Sequence, residues 1–403
     1  MKKVVVTGLG AVTALGNMVD TYWNALIEGK SGLRTITRVP AENHDTTVAA
    51  EVDDSFEQLA SKYWKKRMLS ATTKAARMAL TASGEAIEDC GADFTALDRS
   101  RIGLIYGLSD NSYEGEEQEN KSHITLKRMP SEVPAMIAIR HNLTGPSFNL
   151  STACASTGYA LALAKHLIQT GVCDMMIVGG LSYVVNDLVL RGFNQLLAMS
   201  VNPDPNLASR PFTKNRDGFI MGEGGGAMVI ESEELAKQRG AKIYCELAGA
   251  SMTCEAYNLT APLTDGKGMA DSMRRAIADA EIDLSEIGYI NAHGTSTPLN
   301  DLYETMAIKE VFGQQAYDIP VSSIKAAIGH TLSCCGVLEG IACVKALETG
   351  ILPPTVHYDE PDPALDLNYI PNQAIEKPIT AALSNSFGFG GHDSTLIFRK
   401  YSN

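Results

Sequence analysis

Short apolar runs alternate along the chain with longer amphipathic segments, which predicts alternating strands and helices. The apolar runs predict strands at residues 4–7, 102–106, 175–178, 227–231, 245–248, 287–292, 320–323, 382–385 and 395–398. The amphipathic segments predict helices at residues 21–28, 70–88, 155–170, 268–280, 302–311 and 337–349. This alternation is typical of an α/β protein with parallel or mixed sheets. The polar stretch after Asp110 has little periodicity, which predicts a long surface loop.

Composition narrows the class of protein. The chain has 403 residues, of which 45% are hydrophobic and 20% charged, as in ordinary globular domains. Its net charge of −13 argues against nucleic-acid binding, because phosphates require a basic surface. No apolar stretch is long enough to span a membrane, and the first residues lack the pattern of a signal peptide. The cysteines show no C-x-x-C spacing, so we expect a cytoplasmic protein without a zinc or dithiol motif.

A cysteine stands just before the helix predicted at residues 155–170, in the segment Ser-Thr-Ala-Cys154-Ala-Ser. Free N–H groups and the helix dipole at such a position favour an anion, so we expect a lowered pKa for this thiol. A thiolate there would serve as the nucleophile of a thioester exchange. The alternative is a small, buried and unreactive cysteine.

A histidine follows the strand predicted at residues 287–292, in the segment Asn-Ala-His293-Gly-Thr295-Ser-Thr297. A histidine between a strand end and a glycine turn is well placed to face a cleft, and the two threonines offer hydroxyl groups to a polar ligand. The alternative is a turn histidine whose hydrogen bonds are made by the backbone.

Two further glycine-containing segments carry candidate chemistry. In the first, Lys325 and His330 precede a helix that contains Glu339, with which the lysine could pair. The alternative is a surface lysine and a helix-capping histidine. In the second, glycines surround Phe389, so that backbone N–H groups could approach a ligand as in an oxyanion hole. The alternative is a tight hairpin before the last strand. The sequence contains no G-x-G-x-x-G, Walker A, G-x-S-x-G or H-E-x-x-H motif.

Taken together, the segments STACAS, ASRPFTKNRDGF, NAHGTSTPLND, VSSIKAAIGH and SNSFGFGG resemble those of the β-ketoacyl-acyl-carrier-protein synthase family. The resemblance is strongest to the synthase II type and to the ketosynthase subunits of type II polyketide synthases, and it covers essentially the whole chain. It implies a thiolase-like α/β fold in which two similar halves, residues 1–239 and 240–403, pack as five α-β-α-β-α layers.

The resemblance implies a role for each motif residue. Cys154 would accept the acyl group, and His293 and His330 would drive the decarboxylation of a malonyl unit and stabilise the resulting enolate. The backbone N–H groups of Cys154 and Phe389 would form the oxyanion hole, with the Phe389 ring as a gate. The reaction would be a decarboxylative Claisen condensation, catalysed by an acyltransferase.

Other residues match supporting positions of the family. Lys325 would orient the site together with Glu339, and Asp301 would give structural support. Thr295 and Thr297 would bind the phosphopantetheine arm that carries the substrate. The resemblance implies no metal and no organic cofactor, since the substrates arrive on the phosphopantetheine of an acyl carrier protein.

A local basic stretch stands out in this acidic chain, at Lys62, Lys65, Lys66 and Arg67. From the pattern alone it is a solvated helix face. The resemblance favours a docking surface for the acidic carrier protein, formed by Lys65, Lys66 and Arg67 with Arg210. The family also implies a homodimer, or a heterodimer with a ketosynthase-like chain-length factor, and neither nucleic acid nor membrane as a partner.

Three departures from the fatty-acid enzymes bear on the substrate. Asp110 stands where those enzymes carry an apolar pocket residue, the stretch from there to Cys154 is shorter, and the closing loop reads GGHDS instead of GGTN. A carboxylate near an alkyl tunnel is costly, so we expect a polyketide ketosynthase that handles a more polar chain, with Asp110 lining the substrate tunnel.

Several alternatives remain open at this point. The chain could be a housekeeping fatty-acid elongating synthase, with Asp110 merely paired to His141 or to an arginine at a dimer interface. Less favoured are a non-catalytic chain-length partner, which would lack the nucleophile, and a degradative thiolase, which would carry a second catalytic cysteine near its C-terminus.

Overall fold

Strands and helices alternate along the chain in the computed structural model, which describes residues 2–108, 124–127 and 129–402. The strands are β1 (Val4–Thr13), β2 (Arg34–Thr35), β3 (Val48–Ala49), β4 (Ile102–Gly107), β5 (Ser147–Leu150), β6 (Met175–Ser182), β7 (Gly224–Ser232), β8 (Cys245–Ala250), β9 (Thr253–Cys254), β10 (Ile287–Asn291), β11 (Val321–Ser322), β12 (Ile351–Leu352), β13 (Ile375–Glu376), β14 (Ala381–Gly388) and β15 (His392–Lys400). The helices are α1 (Val19–Ile27), α2 (Phe56–Tyr63), α3 (Lys66–Leu69), α4 (Lys74–Cys90), α5 (Ile124–Lys127), α6 (Glu132–His141), α7 (Ser156–Gln169), α8 (Asp187–Gln195), α9 (Pro205–Ala208), α10 (Glu233–Gln238), α11 (Lys267–Ala280), α12 (Pro298–Phe312), α13 (Lys325–Ile328) and α14 (Cys335–Thr349).

The main strands form two five-stranded parts with the same topology. In the first part the order is β5-β4-β6-β7-β1, and in the second it is β11-β10-β14-β15-β8. Counted along the chain within each part, both orders are third, second, fourth, fifth, first. In both, the fifth strand (β7 or β15) is antiparallel to its neighbours, while the second strand is parallel to the strands on either side of it. This duplication is not apparent in the sequence.

Helices separate and cover the two sheet parts. Helices α7 and α14 contact each other and strands of both parts, whereas α4 packs on the first part and the pair α11–α12 lies against the second. The result is the expected sequence of five α-β-α-β-α layers. The two parts are joined at one edge, where Val5 and Val6 of β1 pair with Glu246 and Cys245 of β8.

The central layer is closely packed because its helices carry small residues. A Cβ atom added at Gly336 of α14 would lie 2.7 Å from the backbone nitrogen of Gly158 in α7, so a side chain there would force the two helices apart. This contact brings the start of α7 and the start of α14 together, and both starts carry active-site candidates.

Every strand and helix predicted from the hydrophobic pattern corresponds to an observed element. The structure adds elements that the pattern did not predict, among them the short edge strand β5 and the helices α6 and α8. Asp110 and most of the predicted loop that follows it lie outside the described residues. Among the residues that are described, no helix has the length and apolar character needed to cross a bilayer.

Candidate active site

The four segments that carry candidate chemistry converge on one cavity. Cys154 lies just before α7, His293 just after β10, His330 just after α13 and Phe389 just after β14. All four line a cavity of about 750 Å³, and Thr295 and Thr297 line it too. Loops at the ends of strands and helices from both halves therefore build a single site.

A cysteine and two histidines form the centre of this cavity. The Cys154 sulfur and nitrogens of His293 and His330 all lie within 4.8 Å of one another. The two imidazole rings are perpendicular, at 81°, with centroids 5.3 Å apart. All three residues are buried. Thiolate and imidazole are also ligands for Zn²⁺. Burial, followed by the charge of the nearby Lys325, lowers the pKa of both histidines, and that positive charge opposes a divalent cation here.

The Cys154 thiol is protonated at neutral pH. Burial raises its pKa to about 11, although the charge of Lys325 and backbone N–H groups of Phe389 and Cys154 act in the opposite direction. The sequence-based expectation of a lowered pKa is therefore wrong for this geometry, because loss of hydration outweighs the helix terminus. The same two N–H groups are those expected to form the oxyanion hole. Ala153, just before the cysteine, has a left-handed φ of 49°, which turns the chain sharply into α7.

His330 is held as a single neutral tautomer. The N–H of Leu332 donates to Nδ1 over 3.3 Å, and a backbone N–H can only donate, so Nδ1 carries no hydrogen and Nε2 carries it. The Cys335 sulfur lies 3.1 Å from the same Nδ1. Burial, followed by the charge of Lys325, keeps the pKa of His330 well below its usual range.

His293 is held differently. Its Nδ1 is buried and has no hydrogen-bond partner among the described residues, so neither tautomer is imposed. Burial and the charge of Lys325 also keep its pKa well below the usual range. Its backbone is fixed instead: the N–H groups of His293 and Gly294 donate to the Glu304 carboxylate over 2.8 Å each.

Glu304 is a functional candidate that the sequence reasoning missed. Besides the two backbone contacts, its carboxylate accepts a hydrogen bond from Asn385 over 3.1 Å. Burial raises its pKa to about 7. One signal was available: Glu304 stands three residues after Asp301 in α12, so both acids lie on the same buried face of that helix.

Lys325 and Glu339 form a buried ion pair, as the resemblance implied. Each side chain is 2% exposed, and the ammonium group contacts Oε1 of the glutamate. The other oxygen accepts a hydrogen bond from Ser386 over 3.3 Å. Burial opposes the charge of Lys325, but Glu339 outweighs it and raises the lysine pKa. The pair thus keeps a positive charge beside the cavity.

The remaining cavity candidates have clear local contacts. Asp301 is fully buried and accepts a hydrogen bond over 2.9 Å from the backbone of Phe212, which has a left-handed φ of 64°. Asp301 therefore holds the ASRPFTKNRDGF segment against α12. The hydroxyl oxygens of Thr295 and Thr297 lie 2.8 Å apart at the cavity wall. The Phe389 ring is half-buried and stacks on Phe193, with 6.4 Å between centroids.

The candidate docking residues fall into two groups. Lys65, Lys66 and Arg67 are exposed, and none of them forms an ion pair with any residue in the described part of the chain. Arg210 differs from the expectation: its side chain is only 11% exposed and lies 3.5 Å from Asp217. Arg210 therefore does not present a free charge at the surface.

Comparison with known proteins now identifies the family. Residues 1–236 match the N-terminal domain of β-ketoacyl synthases, and residues 244–359 match their C-terminal domain. This chain belongs to the β-ketoacyl synthase family. The synthase is 41% identical to a 3-oxoacyl-[acyl-carrier-protein] synthase 2 from Synechocystis, over 99% of this chain and 98% of the relative. It is 37% identical to the enzyme of the same name from Staphylococcus aureus strain COL, over 99% of both chains.

Solved structures agree with this assignment. A type II polyketide ketosynthase, solved in complex with its acyl carrier protein and bound to a hexaketide, superposes with a TM-score of 0.88 at 33% identity, covering 99% of this synthase and all of that chain. The ishigamide ketosynthase/chain length factor superposes with a TM-score of 0.90 at 30% identity, covering both chains completely. The synthase therefore has the thiolase-like fold and is a condensing acyltransferase.

Proposed function

We propose that this synthase joins an acyl group held on Cys154 to a malonyl unit by decarboxylative Claisen condensation, with both substrates delivered by an acyl carrier protein. The observation that carries this assignment is the convergence of the Cys154 sulfur and the two imidazoles within 4.8 Å in one cavity. The charge of Lys325 and the backbone N–H groups of Phe389 and Cys154 complete the chemistry that the reaction needs.

The first half-reaction transfers the acyl group. The protonated thiol of Cys154 must lose its proton as it attacks the thioester, and His330 already carries a hydrogen on Nε2. His293, whose tautomer is not imposed, is the better acceptor, and it passes the proton to the departing carrier thiolate. The N–H groups of Cys154 and Phe389 stabilise the tetrahedral oxyanion.

The second half-reaction forms the carbon–carbon bond. Loss of carbon dioxide breaks the bond between the malonyl carboxylate and the α-carbon, and the electron pair delocalises onto the thioester oxygen as an enolate. The Nε2–H of His330, together with an N–H of His293, stabilises this oxygen. The α-carbon then attacks the acyl carbonyl, and the Cys154 sulfur leaves as a thiolate, which takes a proton from water to restore the resting thiol. Binding both partners in one cavity supplies about 7–11 kcal/mol of the barrier reduction.

We place the synthase in a type II polyketide system, as its catalytic subunit. The support is a buried carboxyl in the substrate cavity, that of Asp393 in the GGHDS loop, which suits a chain bearing polar groups better than an alkyl chain. Fatty-acid elongation is the second candidate. One support is the apolar wall that α8 and the residues after it form in the same cavity, including Val189, Phe193 and Leu196. The other is that the 41% and 37% identical relatives are named 3-oxoacyl-[acyl-carrier-protein] synthase 2.

Partners and setting follow from the same proposal. The exposed Lys65, Lys66 and Arg67 would dock the carrier, and the synthase would act as a homodimer or beside a chain-length factor. The reaction as written needs no metal or organic cofactor. The two matched ranges support a division of the chain after residue 239, and the free cysteines suit the reducing cytoplasm.

The experiment is a reconstituted condensation. Purified synthase is incubated with octanoyl carrier protein and malonyl carrier protein, and intact-protein mass spectrometry follows both carriers. We expect an octanoyl adduct on the synthase, consumption of the malonyl carrier and a 3-oxoacyl carrier product. If malonyl carrier is consumed without any extended product, the condensation proposal is wrong. Adding a candidate chain-length factor and repeated malonyl units then separates polyketide formation from single elongation.

A further inference from the structure

The aspartate of the GGHDS loop faces the active-site side of the sheet. Asp393 in β15 pairs directly with Phe387 in β14. Residues opposite each other in an antiparallel pair project from the same face, and the Phe387 ring lies 5.9 Å from that of His293. Asp393 and Phe387 both line the cavity that contains Cys154. The catalytic roles already described do not use this carboxyl group.

The carboxyl group of Asp393 is buried and unsatisfied. The residue is 2% exposed, and its Oδ2 has no hydrogen-bond partner within the described part of the chain. A buried carboxyl without a partner destabilises a fold, and a ligand that supplies the missing hydrogen bond offsets that cost. Because the group lines the substrate cavity, the acyl chain and the pantetheine arm that carries it are the ligands in reach.

A second carboxyl lies beside it. Glu255 lines the same cavity, and its backbone N–H donates to the carbonyl of Gly391 over 2.8 Å, which holds it next to the GGHDS loop. One carboxylate oxygen accepts a hydrogen bond from the N–H of Leu263 over 2.8 Å, whereas Oε1 has no partner among the described residues. The cavity wall therefore offers two carboxyl oxygens with unused hydrogen-bonding capacity.

The charge state decides what such a pair can bind. Burial raises the pKa of Asp393 to about 9, and the negative charges of Glu255 and Glu304 add to this shift. Tyr159 is a further titratable group close by, and burial raises its pKa to about 12, so it is neutral over the same range. Asp393 is thus a neutral acid at pH 7, and its O–H is a hydrogen-bond donor. A carbonyl oxygen accepts such a bond, whereas an alkyl chain cannot.

We propose that Asp393, with Glu255 beside it, is a specificity-determining site that binds a carbonyl oxygen of the growing acyl chain. This inference rests on the proposed function, because it takes the chain to occupy the cavity as a thioester of Cys154. A saturated chain would leave the carboxyl unsatisfied. The synthase would then select oxygenated chains at the acylation step by the hydrogen bond that alkyl chains cannot make.

The test compares acylation of Cys154 by octanoyl pantetheine thioester with that by its 5-oxo and 7-oxo analogues. In the wild type we expect an oxo analogue to react faster than the saturated thioester, by about fivefold or more for one neutral hydrogen bond. Asp393→Leu should abolish this preference without lowering the melting temperature, because it removes an unsatisfied buried carboxyl. Asp393→Asn, whose amide still donates, should retain it. Octanoyl transfer itself tests the proposed function. If it persists in every variant, a lost preference for oxo analogues concerns the Asp393 site and not the proposed function.

The dependence on pH gives a second readout. The wild-type preference should be full at pH 7 and decline as pH rises through about 9, where Asp393 loses its proton and its donor. Glu255→Gln removes a neighbouring negative charge, so the decline should begin at lower pH. Asp393→Asn should show no decline. An unchanged preference in Asp393→Leu, or equal losses with saturated and oxo substrates, would overturn the inference; the second result would indicate a contact with the pantetheine arm instead.

Discussion

The Nδ1 atom of His330 lies 3.1 Å from the sulfur of Cys335, the first residue of the central helix α14. Because the N–H of Leu332 also donates to this nitrogen, the thiol must be the donor in the Cys335–His330 contact. Burial raises the pKa of Cys335 well above its usual value, so the thiol keeps its proton. The Cys335 side chain thereby helps to keep the hydrogen of His330 on Nε2, from which it can be donated to the enolate oxygen.

Replacing Cys335 with alanine should weaken this tautomer without removing it, since Leu332 remains. We expect decarboxylation of malonyl carrier to slow by about two- to tenfold, as for the loss of one weak neutral donor, with little change in KM. Cys335→Ser, which keeps a donor, should remain closer to the wild type. Nitrogen NMR of labelled His330 checks the cause: more of the Nδ1–H tautomer should appear in the alanine variant, and an unchanged spectrum would contradict the assignment.

The two histidines should differ in the step they affect. His330→Ala removes a fixed donor, so malonyl decarboxylation should fall by about 10²–10³ while acylation of Cys154 continues. His293→Ala removes the proposed proton acceptor as well as a donor, so both acylation and decarboxylation should slow. Single-turnover mass spectrometry separates the two steps. Wild-type decarboxylation in both variants would show that neither histidine stabilises the enolate.

Cys154 should react as a buried, protonated thiol. Its alkylation by iodoacetamide, mapped by peptide mass spectrometry, should accelerate by about tenfold per pH unit because only the thiolate reacts, without a plateau below pH 10. A plateau near neutral pH would show that the thiolate is the resting form. In Cys154→Ala the acyl adduct should disappear, whereas malonyl decarboxylation should persist because the histidines remain. An adduct that survives in this variant would place the acyl group elsewhere.

The Lys325–Glu339 pair should be costly to break from one side. Lys325→Met leaves the Glu339 carboxylate buried and unpaired, so the free energy of unfolding should fall by about 3–5 kcal/mol. The double variant Lys325→Met/Glu339→Leu should recover most of this loss in urea denaturation. It should not recover condensation, because the positive charge beside Cys154 is still absent. Full activity in the double variant would mean that the pair is only structural.

Charge reversal at Lys65, Lys66 and Arg67 should raise the KM for carrier-bound substrates and leave small pantetheine thioesters unaffected. The difference in KM for carrier-bound substrates between the wild type and these variants should diminish with salt, because exposed charges are screened beyond about 10 Å at 0.1 M. Lys400→Glu, at an exposed lysine at the end of β15 that forms no ion pair within the described part of the chain, is the matched control and should have no effect. Equal losses with both substrate types would point to a folding defect instead of a docking surface.

The sequence by itself determined the order and type of the main elements and the four segments that meet in the cavity. Hydrophobic periodicity is a local property, so it survives without knowledge of the fold. The same local pattern locates the ends of an element less closely, because the ends also depend on contacts with other elements. The apolar run of β6 stops before Gly179, yet the strand continues to Ser182. The residue at 179 is glycine because a side chain there would collide with the ring of Tyr106 on the neighbouring strand.

Tertiary structure alone decided the chemistry of the site. The raised pKa of Cys154 follows from burial by residues far away in the chain, which no local pattern contains. Glu304 became a candidate only when α12 placed it against the backbone of His293, and Asp393 only when the β14–β15 pairing placed it opposite Phe387 in the cavity wall. The matching strand orders of the two halves were likewise invisible, since pairing between distant strands depends on contacts across the whole chain and not on the residues within each strand.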